Sequence, residues 1–549
     1  MAHIDLAHVS YRLEGGRDLI RDVSFRVAEG SRTALIGPNG GGKTTLLRLI
    51  AGELVPDEGA VSVGGELAVM HQSIGRMSGA LSVRTLMTSA ASAPVRAAAE
   101  LLRTSEVQMG QHPSERTQMS FAQALSDWND VGGYRTEALW NECCLAALGE
   151  PFEEVEDRPA GTLSGGEQKR LVLEQLLRGE QPVLLLDEPD NFLDVPAKRW
   201  LEERLLESSK TILLVSHDRE LLSRCAQRII TLEDGTCWVH GASFAEYPAA
   251  RRARLLRLEE VLRRWTEERD RLRTMVRTLQ AQAAISEVMA ARYRAAQTRL
   301  RHFEEAGPPP APPSDHAVSM RLGGGRTGVK ALTCEGLELA GLIKPFDTEL
   351  YFGERLAVLG ANGTGKSRFL ELVASGGTDP DSPAPPRASA GAPWTGSCRL
   401  GARVVPGYFA QTYERSSIDA QGTLLGILHD RFSLARGPAT SALSRYELDR
   451  QAAQAFDTLS GGQKARFQIL LVELSGATLL VLDEPTGNLD LVSAQALEEG
   501  LAGFQGTVVA VTHDRWFARS FSRFLVFEAD GRVREATEPT WEVAKASRR

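Results

Sequence analysis

Cysteine is scarce. Six are spread over 549 residues, at positions 143, 144, 225, 237, 334 and 398, and none forms Cys-x-x-Cys. So thin a set makes no disulfide framework. Lysine is scarcer still for a charged chain, nine against 54 arginines. No apolar run reaches the roughly 18 residues that a membrane helix needs. The opening residues Met1-Ala-His-Ile-Asp5 carry neither a basic start nor an apolar core, so no signal peptide is expected. Basic and acidic residues number 63 and 71, a net charge of −8, which does not mark the whole chain as a nucleic-acid binder. A hydrophobic content of 42% and a charged content of 24% exclude wholesale disorder and fibrous classes. A soluble cytoplasmic protein of three or four domains is the expectation, at roughly 150 residues per domain.

What is present is written twice. Gly37-Pro-Asn-Gly-Gly-Gly-Lys-Thr44 returns as Gly360-Ala-Asn-Gly-Thr-Gly-Lys-Ser367, and Leu163-Ser-Gly-Gly-Glu167 as Leu459-Ser-Gly-Gly-Gln463. Leu186-Asp-Glu-Pro189 returns as Leu482-Asp-Glu-Pro485, and Ser216-His-Asp-Arg219 as Thr512-His-Asp-Arg515. The last three recur at one offset of 296 residues, the first at 323. Such internal repetition marks a duplicated domain. The copies differ in length only ahead of Leu163 and Leu459. Copy two gains about 16 residues around Asp379-Pro-Asp-Ser-Pro-Ala-Pro-Pro386, a composition expected of a surface loop. Copy one gains about 43 residues within about 80–130, an Ala- and Leu-rich stretch that reads as helical.

A third segment joins the copies. It has no glycine or proline from 251 to 306, then runs into Gly307-Pro-Pro-Pro310. Leu255, Leu258, Leu262, Trp265, Leu272, Val276 and Leu279 form a heptad stripe, with Arg269 at the skipped position. Met289, Tyr293, Ala296, Leu300 and Phe303 form a second. Two helices joined near Ala281–Glu287 should fold back as a hairpin. The expected division is a first domain at 1–246, a hairpin at 247–315 and a second domain at 316–549.

Each Gly-rich motif follows a short apolar run, Thr33–Ile36 or Leu356–Leu359, and precedes a helical pattern. That is the strand–loop–helix setting of a P-loop. Glycines there let backbone N–H groups wrap phosphates at a helix N-terminus. Lys43 and Lys366 would reach the β- and γ-phosphates, and the Thr44 and Ser367 hydroxyls would bind Mg²⁺. Val183–Asp187 and Leu480–Asp483 read as buried strands ending in carboxylates. Asp187 and Asp483 suit Mg²⁺ or its water; Glu188 and Glu484 suit orienting the attacking water. His217 and His513 follow further apolar strands and could sense the γ-phosphate as neutral imidazoles.

Taken together, the order P-loop, Gln, Leu-Ser-Gly-Gly, Asp-Glu-Pro, His resembles the ABC-type ATPases over both copies, nearly 500 residues. The resemblance implies an α/β fold with two tandem ABC-type P-loop domains joined by an α-helical hairpin. It also implies head-to-tail pairing within one monomer, each ATP lying between the P-loop of one copy and the signature of the other. One site would use Gly37, Asn39, Gly40, Gly42, Lys43, Thr44, Thr45, Gln72, Asp187, Glu188 and His217 with Ser460, Gly461 and Gly462. The other would use Gly360, Asn362, Gly363, Gly365, Lys366, Ser367, Gln411, Asp483, Glu484 and His513 with Ser164, Gly165 and Gly166. Gln72 and Gln411 would join Thr44, Asp187, Ser367 and Asp483 around Mg²⁺. Tyr11 would stack on one adenine; copy two offers no equivalent near Gly341–Phe346.

A duplicated ATPase with a helical hairpin between its copies and no fused membrane segment is similar to the F subfamily (ABC-F). The resemblance implies binding to the 70S ribosome through rRNA and P-site tRNA, with the hairpin tip Gln280–Ser286 near the peptidyl-transferase centre. The insertion at 80–130 lies where the subfamily carries an arm. Asp190-Asn-Phe-Leu-Asp194 departs from the usual Thr-Asn-x-Leu-Asp, and with Tyr293–Glu305 it resembles resistance factors of antibiotic-producing actinobacteria. Protection against macrolide, lincosamide or streptogramin inhibitors is the implied role. Charge is consistent with a linker that touches RNA: residues 247–306 hold fourteen Arg, no Lys and eight acids, a net +6 against −14 elsewhere. Arg292, Arg294, Arg299 and Arg301 have the fewest acidic neighbours. The alternatives are the ATP-binding subunit of an efflux transporter, which needs no basic hairpin, and a housekeeping translation factor.

Overall fold

The computed structural model describes residues 2–75, 81–283, 287–313, 318–378, 393–411, 418 and 421–541. The Pro-rich stretch expected to be a surface loop, after 378, and the last residues of the expected hairpin tip lie outside them. Two compact units form, one of Met1–Val239 with Ala317–Arg549 and one of His240–His316.

In the first unit each copy repeats one plan. A six-stranded sheet has the order Leu67–Met70, Val183–Asp187, Thr211–Val215, Arg32–Ile36, Arg228–Glu233, Thr236–His240. Its repeat runs Pro406–Phe409, Leu479–Asp483, Thr507–Val511, Arg355–Gly360, Arg523–Phe527, Val533–Ala536. The inner strands pair in parallel. Every residue of Val183–Asp187, Thr211–Val215, Leu479–Asp483 and Thr507–Val511 is buried. Helices on both faces demand such continuous apolar runs. A three-stranded antiparallel sheet stands beside each: His3–Arg12 between Asp18–Val27 and Glu58–Gly64, and Lys330–Leu339 between Ile343–Tyr351 and Trp394–Leu400.

The insertion in copy one is helical. Ala93–Gln111 and Glu115–Asp130 form a pair, the second opened by a capping box from Ser114. Fully buried Trp128 and Trp140 tie it down, their rings 6.3 Å apart, and Trp140 continues to Phe152 at 5.4 Å.

The second unit holds the helices Tyr247–Ala283 and Glu287–Glu305. All the expected stripe positions are buried or half-buried, with Leu272 and Ala296 deepest. Trp265 stacks on Phe303 at 5.4 Å, and Arg273 pairs with Glu304 at 2.8 Å. Ion pairs along the helices occupy Arg263, Arg264, Arg269 and Arg271. Of the four arginines singled out above, Arg299 and Arg301 also find acids, Glu268 and Glu305, both at 3.7 Å. Among the described residues Arg292 and Arg294 have no acidic partner and stand exposed.

Candidate functional site

Two clefts lie where the copies meet within the first unit. One, of about 500 Å³, is lined by Asn39, Gly40, Gly42, Lys43, Thr44, Thr45, Gln72, Glu188 and His217 of copy one. Facing them are Ser460, Gly461, Gly462, Gly487 and Asn488 of copy two. The other, of about 400 Å³, reverses the roles. Asn362, Gly363, Gly365, Lys366, Ser367, Gln411, Glu484 and His513 face Ser164, Gly165, Gly166 and Phe192. The head-to-tail arrangement is therefore present in the geometry of the clefts.

Local rules place these groups. Ser164 and Ser460 are N-caps of Gly165–Arg178 and Gly461–Leu474, each closing a capping box with the Glu or Gln three residues on. The signature thus presents a helix N-terminus, with its free N–H groups and positive end, to the opposite P-loop. Gly37 and Gly360 sit behind the clefts. A Cβ on them would lie 2.2 Å from the Leu232 carbonyl oxygen and 2.3 Å from that of Phe527, so their task is close backbone packing. The Lys43 ammonium donates to the carbonyls of Gly37 and Pro38 at 2.8 and 3.1 Å, and Lys366 repeats this on Gly360 and Ala361 at 2.9 and 2.7 Å. Burial lowers the pKa of both ammonium groups. The same loop carbonyls hold them until a stronger anion competes.

The carboxylates stand at the strand ends. The Thr44 hydroxyl donates to Asp187 at 2.9 Å, and Ser367 hydrogen-bonds Asp483. Each aspartate keeps a buried Oδ1 without a partner. Burial raises Asp187 to about 6 and Asp483 to about 7. A hydroxyl beside a buried, half-satisfied carboxylate suits a hard cation such as Mg²⁺, which takes few protein ligands and completes its shell with phosphate and water. No cluster of three His, Cys, Asp or Glu able to hold a metal exists among the described residues.

Glu188 accepts from the Gln72 amide at 2.9 Å and the Asn191 amide at 2.6 Å. Glu484 is bonded by Gln411, and burial raises its pKa. Both glutamates adopt left-handed backbone, φ 50° and 49°. The imidazoles of His217 and His513 have neither nitrogen bonded. Burial holds His217 down to about 4 and His513 well below its ordinary value, so both are neutral. His513 Nε2 lies 3.7 Å from the Glu484 carboxylate, and both imidazoles border the clefts beside the P-loop lysines with their hydrogen-bonding capacity unused.

Tyr11 sits opposite Ile20 in the antiparallel sheet, half-buried against the apolar core beside it, and is not among the residues that line the first cleft. The pairing with Asp18–Val27 shifts register around Val9 and Tyr11, which sequence spacing does not reveal. Leu13, Arg17 and Leu19 border that end of the first cleft, and Leu342 the second. Sequence reasoning also missed contacts made by the D-loops, the segments Asp190–Asp194 and Thr486–Asp490 that follow each Asp-Glu-Pro. Asn39 N–H donates to Asp490 at 3.0 Å, the Asn39 amide to the Asn488 carbonyl at 3.1 Å, and the Asn362 amide to the Phe192 carbonyl at 3.1 Å. The repeated Leu-Asp that ends both D-loops was their signal.

Comparison with known proteins agrees with this geometry. The "ABC transporter" family model matches residues 20–191 and 343–487. An "Antibiotic resistance protein" of Mycobacteroides abscessus is 55% identical, over 98% of this chain and all of the other. The "Tylosin resistance ATP-binding protein TlrC" of Streptomyces fradiae is 32% identical over 92% and 93% of the two chains. The "Energy-dependent translational throttle protein EttA" of Mycobacterium tuberculosis is 28% identical over 94% and 90%. With paired P-loops and signatures and a helical segment between the copies, the chain belongs to the ABC family as a tandem, F-type ATPase that hydrolyses ATP.

Proposed function

We propose that this ATPase is a cytoplasmic ribosome-protection factor that acts as a monomer. ATP enters both clefts, seals the two copies against each other, and presents the hairpin to rRNA and P-site tRNA on the 70S ribosome. The hairpin then dislodges a peptidyl-transferase or exit-tunnel inhibitor of the macrolide, lincosamide or streptogramin class. Hydrolysis reopens the clefts and releases the ribosome.

In this reading the signature glycines and P-loop amides bind the phosphates, while Lys43 and Lys366 leave their loop carbonyls for the β- and γ-oxygens. Thr44, Gln72 and Asp187, with Ser367, Gln411 and Asp483, would hold Mg²⁺ directly or through water, and bound there it would neutralise charge developing on the phosphates. Glu188 and Glu484 orient the attacking water, and His217 and His513 donate to the γ-phosphate.

The observation that carries the proposal is the hairpin itself. It bears a net +6 between acidic ATPase copies and, among the described residues, leaves Arg292 and Arg294 without acids to pair with. A transporter's energy subunit has no use for it, and no described helix is long and apolar enough to cross a membrane. The relatives named for antibiotic resistance favour protection over a general translation role.

The test uses Glu188→Gln with Glu484→Gln. Turnover should fall on the order of 10²–10⁴-fold while ATP binding persists. The double variant should co-sediment with 70S ribosomes only when ATP is present. Failure to co-sediment with ATP bound would remove the ribosomal reading. Unchanged potency of every inhibitor in a sensitive host expressing the parent would remove protection.

A further inference from the structure

Between the two clefts lies a small polar cavity of about 50 Å³. Asp190, Asn191, Lys198, His217 and Asp218 of copy one line it, with Glu484, Thr486, Thr512, His513 and Asp514 of copy two. At its centre is Lys198, on the helix Val195–Glu207 and nearly nine-tenths buried. Its ammonium pairs with Asp218 at 2.8 Å and donates across the seam to the carbonyl of His513 at 3.2 Å. Asp190 is buried beside them, with Oδ1 unpartnered. Burying such a cation is costly unless its charge and all its donors are used.

The arrangement has no counterpart on the other side. At the constant offset of 296, Thr486 stands for Asp190, Gly487 for Asn191 and Ala494 for Lys198. Nothing from copy two can therefore do for His217 what Lys198 does for His513. The neighbouring seam pairs are by contrast reciprocal: Arg219 with Glu498, and Arg515 with Glu202. Set against these reciprocal pairs, the Lys198 cluster is one-sided and faces the second cleft. There Glu484 lacks the amide that Asn191 gives Glu188.

We propose that Lys198, held by Asp218 and Asp190, is a positioning residue for the second cleft: from copy one it anchors the backbone of His513 and so sets His513 and Glu484 for hydrolysis. Water attack on the γ-phosphate in that cleft then depends on the Asp190 loop of the opposite copy, and the first cleft has no equivalent requirement. The two ATP sites are unequal by construction.

This inference rests on the reading of the clefts as ATP sites. The test therefore starts from two backgrounds in the full chain, Glu188→Gln, which leaves the second cleft its glutamate, and Glu484→Gln, which leaves the first. Lys198→Met goes into each. Because it strands Asp190 and Asp218, a second variant, Asp190→Thr with Lys198→Ala, installs the residues copy two already carries, and Asp218 keeps Arg515 at 3.8 Å. In the Glu188→Gln background both variants should lower kcat about tenfold or more with KM for ATP little changed, the mark of displaced reacting groups. In the Glu484→Gln background kcat should change less than about twofold by the same reasoning. Equal losses in both backgrounds would overturn the proposal in favour of general seam support, and no loss in either would overturn it outright. Should the ATP-site reading itself be wrong, the failure looks different: neither background would differ from the parent in turnover before Lys198 is touched.

Discussion

The Asp490 carboxylate accepts the backbone N–H of Asn39 at 3.0 Å, joining a D-loop to a P-loop 451 positions earlier. Its other oxygen caps its own helix through Ser493 N–H at 2.9 Å. One side chain thus finishes a helix in copy two and braces the phosphate loop of copy one. Among the described residues Asp194 makes no matching bond to Asn362 N–H; there the brace is the Asn362 amide on the Phe192 carbonyl. The two seams have different hardware, and substitutions should separate them.

Gly462 is the sharpest probe of the first seam. A Cβ there would lie 2.2 Å from the Asn39 amide nitrogen and 3.2 Å from the Asn488 carbonyl oxygen, the two ends of one hydrogen bond. Gly462→Ala should break that bond and lower turnover of the first cleft about tenfold, the scale set by small misplacements of reacting groups. Steady-state ATPase in the Glu484→Gln background reads this out. Thermal melting should stay near the parent's, since the clash falls on the seam and not in a core.

Acid should weaken the fold through His217. Its folded pKa of about 4 lies below the ordinary 6.5, so the unfolded chain binds the proton more readily. Stability is full above pH 6.5 and is lost as the pH falls towards 4. Between pH 7 and pH 5 this one group should cost about 2 kcal/mol. His217→Gln removes the group, so its urea midpoint should fall less over that interval than the parent's. Identical pH profiles would mean that His217 takes up its proton as readily in the folded protein as in the unfolded chain.

For the hairpin, Arg292→Ala and Arg294→Ala should each reduce the slope of log binding constant against log salt for ribosomes by up to about one unit. Arg263→Ala should change the slope less, because Glu260 and Glu267 already engage that guanidinium. Salt titration of ribosome pelleting distinguishes them. Equal slopes for all three would place the RNA contact elsewhere.

Much of this architecture is legible in the chain. Val183–Asp187 and Thr507–Val511 announce themselves because a strand covered on both faces must be apolar throughout. The heptads from Leu255 to Phe303 all reached the hairpin seam because helical period alone decides which side faces a neighbour. The register shifts around Tyr11 were not legible, because they are a matter of inter-strand hydrogen bonding and not of side-chain pattern. Lys198 was invisible for a different reason. A lysine in Val195–Glu207 looks like a solvated helix face, and only the arrival of copy two, 315 residues later at His513, buries it. Arg299 and Arg301 found their acids on terms that local counting partly hid: Glu268 lies on the other helix.

Glu188 and Glu484 hold the backbone at φ 50° and 49°, a conformation most residues resist. Strain of about 1 kcal/mol sits at each, and asparagine or glycine would relieve it. Those same replacements remove the carboxylate. On the mechanism proposed above, the copying of the motif carried the discomfort along with the chemistry, so each half of the protein would stand one substitution from a sturdier and silent form. A screen for heat resistance alone would select against the working enzyme.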